Sequence, residues 1–217
     1  YLVAQTDVEN AGLGWTNGDA LALYGWYTMM VYVMSIPGGF IADKFLGQKK
    51  SVLIGGIFLL FGHSILAVEE MWAFYTGLVL IVCGVGMLKP NISTMVGQLY
   101  PAGDKRIDSA FTIFYMGINL GAFIAPLITG GLGEVYDEEG LIVPAMFKWG
   151  FLAACIGMII STIVFELLKN KYIIKPDGEP IGAKPKKIEP AADTIKEPMN
   201  FGKMIQWIFI SGGLFVA

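Results

Sequence analysis

Read as alternating apolar and polar stretches, the 217 residues divide into long uncharged runs separated by short charged ones. The clearest run is 71–100, MWAFYTGLVLIVCGVGMLKPNISTMVGQLY, which holds a single charge, Lys89. A helix rises about 1.5 Å per residue, so this run crosses the roughly 30 Å hydrocarbon layer with length to spare. Comparable runs occupy 20–42, 51–68, 109–132 and 147–168, and 1–5 reads as the tail of a preceding span. A further apolar segment begins at 201–217. The pattern predicts an all-α membrane protein in which 1–168 form one six-helix bundle with its first helix truncated. A linker over 169–200 follows, where the prolines argue for extended chain rather than helix. Asp19 is expected to cap the span that starts at Ala20.

Composition narrows the class. Apolar residues make up 55% of the chain, charged residues 15%, and the mean hydropathy is +0.61, values of a polytopic membrane protein. The bases form no stripe along a helix, so nucleic acid is not an expected partner, whereas membrane lipid is. They fall instead on alternate loops: Lys44, Lys49, Lys50, Lys105, Arg106 and the lysines of the linker lie on one side. The opposite loops carry acids such as Asp7, Glu9, Glu69, Glu70, Glu134, Asp137, Glu138 and Glu139, with Lys148 the one base near them. The excess of positive charge marks the cytoplasmic side, which places the linker there and the protein in a cell membrane. Cys83 and Cys155 sit inside apolar runs and read as packing residues. His63 reads either as a buried, satisfied histidine or as a proton relay. There is no Ser/His/Asp set, metal-ligand cluster or phosphate loop, so neither an enzyme nor a cofactor is expected.

Few polar groups remain within the spans. Lys89 lies eighteen residues from Met71 and eleven from Tyr100, too deep to reach an interface. A charge at that depth costs about 2.5–3.5 kcal/mol, so it is expected to face protein or water. Pro90 follows it and removes one backbone hydrogen bond. A cation beside such a break is either a site for an anionic group or a structural lysine held by a buried carboxylate. Thr112, Tyr115 and Asn119 fall at about 0°, 300° and 340° around one helix, a polar stripe lining a cavity or a helix contact. Tyr32 is deep in its span, where its hydroxyl needs either a neighbouring helix or a ligand.

The stretch from Gly38 to Lys50, with Gly38, Gly39, Asp43 and Gly47, resembles the gating loop between the second and third helices of major facilitator transporters. Gly38 and Gly39 permit close packing there, and Gly47 allows the chain to reverse. Asp43 is expected to accept from amides at the start of the next helix. The same bonds describe a well-capped turn or a contact made and broken as bundles rock.

The run Phe111-Thr112-Ile113-Phe114-Tyr115-Met116-Gly117-Ile118-Asn119-Leu120-Gly121 resembles the F-Y-x-x-I-N-x-G signature of the proton-dependent oligopeptide transporter family, a branch of the major facilitator superfamily. Leu88-Lys89-Pro90-Asn91-Ile92-Ser93 is similar to that family's fourth-helix motif. The resemblance implies a symporter that imports di- and tripeptides with the proton as coupling ion. By it, Lys89 would couple protons and attract the peptide carboxylate, Asn119 would bond the peptide backbone, and Tyr32 and Tyr115 would line the pocket. It also implies a C-terminal bundle as the pocket's other wall, and a first-helix E-x-x-E-R motif that would lie before Tyr1. Two other readings stay open: a same-fold transporter of another anion such as nitrate, and a non-transporting helical module, which requires an occluded Lys89.

Overall fold

The computed structural model describes residues 14–182, apart from 69, 102, 139, 141, 142, 144, 145, 176 and 177. The expected span at 1–5, most of the linker and the segment 201–217 therefore lie outside the described residues. Within them the chain forms α1 (Asn17–Ile41), a π-helical turn (Ala42–Leu46), α2 (Gln48–Leu66), α3 (Met71–Gln98), α4 (Arg106–Gly133) and α5 (Phe147–Tyr172). All five helices are long and apolar enough to cross a membrane. They run alternately between an end carrying Lys44, Lys49 and Lys50, here the basic end, and an acidic end carrying Glu70 and Glu134.

Helix limits depart from the hydropathy pattern where local chemistry decides them. Thr16, not Asp19, caps α1: its Oγ1 accepts the Asp19 N–H at 3.2 Å and donates to the Asp19 carboxylate at 2.7 Å. Asp19 thus holds the third helical position, where its carboxylate accepts from the capping hydroxyl rather than capping the helix itself. The basic loop before 51 is not a loop. Gly47 N–H closes the π turn onto Ala42 O at 2.8 Å, and with φ +80° Gly47 reverses the chain so that α2 starts at once with Gln48. Asp43 is exposed and does not cap α2, whose first turn has no side-chain cap. Likewise α4 begins at Arg106, because Asp104 accepts both the Arg106 N–H at 2.9 Å and its guanidinium. Those bonds, side chain first and backbone second, hold the Asp104 carboxyl below its ordinary range.

Packing rests on missing side chains. Membrane helices gain no hydrophobic drive against lipid and associate where backbones can approach. On α2 and α3 the glycines interlock: a Cβ on Gly55 would meet Gly84 O at 2.7 Å, and one on Gly77 would meet Gly62 O at 3.0 Å. α1 meets α3 at Gly38, where a Cβ would collide with the Gly86 carbonyl. That carbonyl is the one left without its intrahelical donor by Pro90, four residues on. Asn91, 2% exposed, fixes the same junction, donating from Nδ2 to Met87 O at 2.6 Å and approaching Gly38 O at 3.5 Å. Gly39 has open space and plays no such part. Cys155 is buried, with its Sγ 3.1 Å from Ser64 Oγ between α5 and α2.

The linker does not begin at 169. α5 continues to Tyr172, with Lys169 paired to Glu166, and the chain then folds back. Ile174 bridges Pro180, Lys175 N–H donates to Glu179 O at 2.8 Å, and Ile181 is driven to 1% exposure against Val52 and Met95. Burying such a side chain contributes about 1.5–3 kcal/mol, enough to override the extended preference of a proline-rich stretch.

Because Gly38 has no room and Gly39 does, the two adjacent glycines should respond oppositely. Gly38→Val should cost at least the upper part of the about 1–3 kcal/mol typical of overpacking. Gly39→Ala should leave stability unchanged or slightly raised. Thermal unfolding of the two variants in detergent, followed by fluorescence, checks this.

Candidate substrate-binding site

Asn91 and Lys89 are two residues apart on α3, so their side chains leave the helix about 160° apart. With Asn91 locked into the α1 junction, Lys89 leaves α3 on a different side, at the edge of that junction, and is exposed. Of the two surroundings expected for it, protein or water, the described helices supply only the Tyr32 ring. The side chain reaches the ring of Tyr32 on α1, with Nζ 4.8 Å from the ring centroid. Among the described residues no carboxylate pairs with it.

Magnitudes show what this arrangement leaves undone. A cation over an aromatic face gains about 0.5–1 kcal/mol when exposed and about 2 when desolvated. Holding the charge at that depth costs about 2.5–3.5 kcal/mol. The ring offsets part of the cost, and the remainder favours an anion or water at Nζ.

The other expected site residues lie on α4. None of its described residues is buried except Gly133; it rests on α5 and touches α3 only lightly. Tyr115 stacks on Phe111 at 6.3 Å and tilts against Phe114 at 5.6 Å. Thr112 returns its hydroxyl to Asp108 O at 2.9 Å within its own helix. Asn119 is exposed. Among the described residues neither Asn119 nor Tyr115 contacts Lys89 or Tyr32 through a hydrogen bond or ring. The structure brings together Lys89 and Tyr32, and leaves Tyr115 and Asn119 on a separate exposed helix.

A cavity of about 540 Å³ lies elsewhere, at the acidic end, lined by Tyr24, Tyr27, His63, Phe74, Thr129 and Glu134 among others. His63, half-buried in this lining, donates its Nδ1–H to Leu59 O at 2.7 Å within α2. At the π turn, Lys44 lies over Phe40 and Phe45, 5.2 and 5.8 Å from the ring centroids. Sequence reasoning missed Asn91. Its signal was present: a polar amide within an apolar run, directly after Pro90, in a motif that drew notice for its lysine.

Comparison with known proteins follows the same residues. The profile of the POT family matches residues 49–200. An uncharacterised transporter of Bacillus subtilis is 46% identical over 169 residues, covering 77% of this chain and 32% of the relative. A di-/tripeptide transporter of Lactococcus lactis is 42% identical over 181 residues, covering 83% of this chain and 35% of the relative. Among solved structures, a peptide transporter crystallised with sulfate is 35% identical with a TM-score of 0.72, covering 97% of this chain and 38% of that one. A POT family transporter in complex with 5-aminolevulinic acid is 32% identical with a TM-score of 0.71, covering 94% and 38%. The chain thus spans about a third of the length of the curated relatives it matches. Its five apolar helices are those of a membrane protein with the N-terminal bundle of a major facilitator fold, and the chain belongs to the POT family.

Proposed function

We propose that the full-length protein containing this chain is a proton-coupled symporter that imports di- and tripeptides by alternating access. The observation that carries the reading is Lys89, an ammonium group deep along a spanning helix, only partly compensated by the Tyr32 ring and open on one side. A peptide carboxylate supplies the missing charge. Lys89 is then both the substrate anchor and the group whose charge links proton binding to peptide binding. Asn119 and Tyr115, on the exposed face of α4, offer an amide and a phenol to the peptide backbone and side chains. Their polar groups make no cross-helix bond among the described residues, which favours a ligand-facing stripe over a packing one. Fixed polar anchors in a roomy, partly aromatic cavity suit a substrate with constant ends and variable side chains.

The remaining parts of the reading follow. A C-terminal bundle covers the open face of α1, α3 and α4. The basic end faces the cytoplasm of a cell whose membrane holds the protein, and 169–200 join the two bundles on that side. Gly38, Gly39, Asp43 and Gly47 form the loop that moves between conformations. Asp43, exposed and without a capping role, is available to bond across to the other bundle. The proton is the coupling ion, and no cofactor enters. A second reading has one observation in its favour: related peptide transporters crystallise in complex with sulfate, an inorganic anion. A same-fold transporter of another anion such as nitrate would use Lys89 in the same way. A non-transporting module, which requires an occluded Lys89, is disfavoured by its exposure.

In liposomes holding the full-length protein, labelled dialanine should accumulate only under an inward proton gradient. Lys89→Ala should abolish that accumulation, and undiminished uptake by the variant would remove the proposed anchor. Unlabelled tripeptide should compete with dialanine, whereas competition by nitrate alone would establish the second reading.

Tyr32 gives a finer test. Tyr32→Phe keeps the ring face under Lys89, whereas Tyr32→Leu removes an interaction of about 1–2 kcal/mol, equivalent to roughly 5–30-fold. The leucine variant should lose about ten-fold more uptake than the phenylalanine variant. Equal losses would show that the hydroxyl, not the ring, is what Lys89 or the substrate needs.

A further inference from the structure

The strap that follows α5 ends on the first turn of α2. Gly182 O accepts the Lys49 N–H at 3.1 Å, and Lys49 is the second residue of α2, next after Gln48 and Gly47. The first amides of a helix have no acceptor within it, so this bond can come only from outside. Gly182 has φ +64°, and a Cβ there would lie 3.0 Å from Gln48 Cβ and 3.1 Å from Met95 Sδ. Only glycine fits both the backbone conformation and the space. One residue earlier, Ile181 fills the gap between Val52 on α2 and Met95 on α3, with Phe165 of α5 and Ile173 packed around it. One short segment therefore joins the basic ends of three helices.

Its fit is imperfect in a specific way. Ser51 is 0% exposed and Gln48 8% exposed, and among the described residues Ser51 Oγ and Gln48 Oε1 have no hydrogen-bond partner. Both lie in the turn of α2 that the strap covers. Closing the strap buries Ile181, which is favourable, and dries two polar atoms, which is not. Lifting it reverses both terms. Opposed contributions of this kind make two states close in free energy, the property a switch requires and a permanent brace does not.

We infer that residues 173–175 and 178–182 form a releasable latch on the start of α2, and through Gly47 on the π turn Ala42–Leu46, closed in this structure and lifted when that loop moves. The link is direct: Gly47 N–H bonds Ala42 O, Ser51 N–H bonds Gly47 O, and Lys49 N–H between them bonds the strap. The part of the inference that concerns loop motion during transport rests on the function proposed above; the latch itself does not.

The test uses the full-length protein in lipid nanodiscs, where both faces are open to solvent, with its native cysteines replaced. Ile181→Cys should react with a polar maleimide at least ten-fold more slowly than Lys50→Cys, whose parent residue is exposed. Adding Ser51→Ala removes one dry polar atom and should slow the reaction several-fold further, while saturating dialanine should accelerate it. Equal rates at positions 181 and 50 would show that the strap is not docked. Protection that neither Ser51→Ala nor dialanine changes would make it a fixed brace and overturn the latch. If the variants do not fold, hydrogen exchange of the Lys49 amide in the unaltered protein reads the same bond. It should be protected at least ten-fold relative to an unbonded amide, and absence of protection would overturn the docking. Dialanine uptake by the unaltered protein is measured alongside. If it fails, the transport reading fails, and the Ser51→Ala arm still decides the latch.

Discussion

The approach of α1 to α3 at Gly38 and Gly86 is the constraint on which the site depends. Lipid gives two helices no hydrophobic reason to associate, so contact must come from backbone surfaces that meet without side chains between them. Pro90 contributes to this surface by withholding its donor from the Gly86 carbonyl, which is thereby left free at the face that α1 covers. Asn91 then secures the junction from the α3 side. Fixing this face of α3 against α1 also fixes where its neighbours emerge. Lys89 leaves at the exposed edge of the junction, and its stem leans toward the start of the helix, as helical side chains do, to meet the Tyr32 ring of α1. Three consecutive residues thus act together, with Pro90 and Asn91 setting the orientation in which Lys89 is useful.

The same constraint divides the bundle. α2 and α3 interlock through glycines along most of their length, and α1 joins them at its basic end. α4 is different in kind, with a surface of large apolar residues and a polar stripe that nothing among the described residues covers. A helix apolar all round is stable against lipid or protein, but a stripe holding a tyrosine and an asparagine is not satisfied by lipid. The polar stripe on α4 and the ammonium group on α3 therefore make the same demand for a wet or protein-lined space.

How much of this was legible in the sequence depended on whether the deciding interaction was local. Spans over 20–42, 51–68, 71–100, 109–132 and 147–168 overlap the five helices because hydropathy summed over many residues outweighs any single bond. Their ends were less legible, since Thr16 competes with Asp19 for the cap and Gly47 starts α2 inside a run of charges. Gly38 and Gly39 are indistinguishable as letters and opposite in packing. Lys89 stood out because a charge within an apolar run is improbable on energetic grounds alone, whereas its contact with Tyr32 depended on how α1 and α3 meet. The docking of Ile181 had no local signal: one isoleucine among prolines and lysines acquires its role only from the gap between Val52 and Met95.

That gap also explains why the helices at the basic end need a separate fastening. Toward the acidic end α2 and α3 meet through Gly62 and Gly77, and midway through Gly55 and Gly84. Beyond Gly55 the close glycine contact gives way to Val52 and Met95, which carry side chains and pack with Ile181. Ile181 completes that cluster from a segment outside the five spans. A contact made by a returning strap can be undone without unwinding a helix, whereas a glycine interface cannot be separated without parting two spans. The α2–α3 contact is therefore closest through its glycines, and at the basic end it depends on a segment that can be withdrawn.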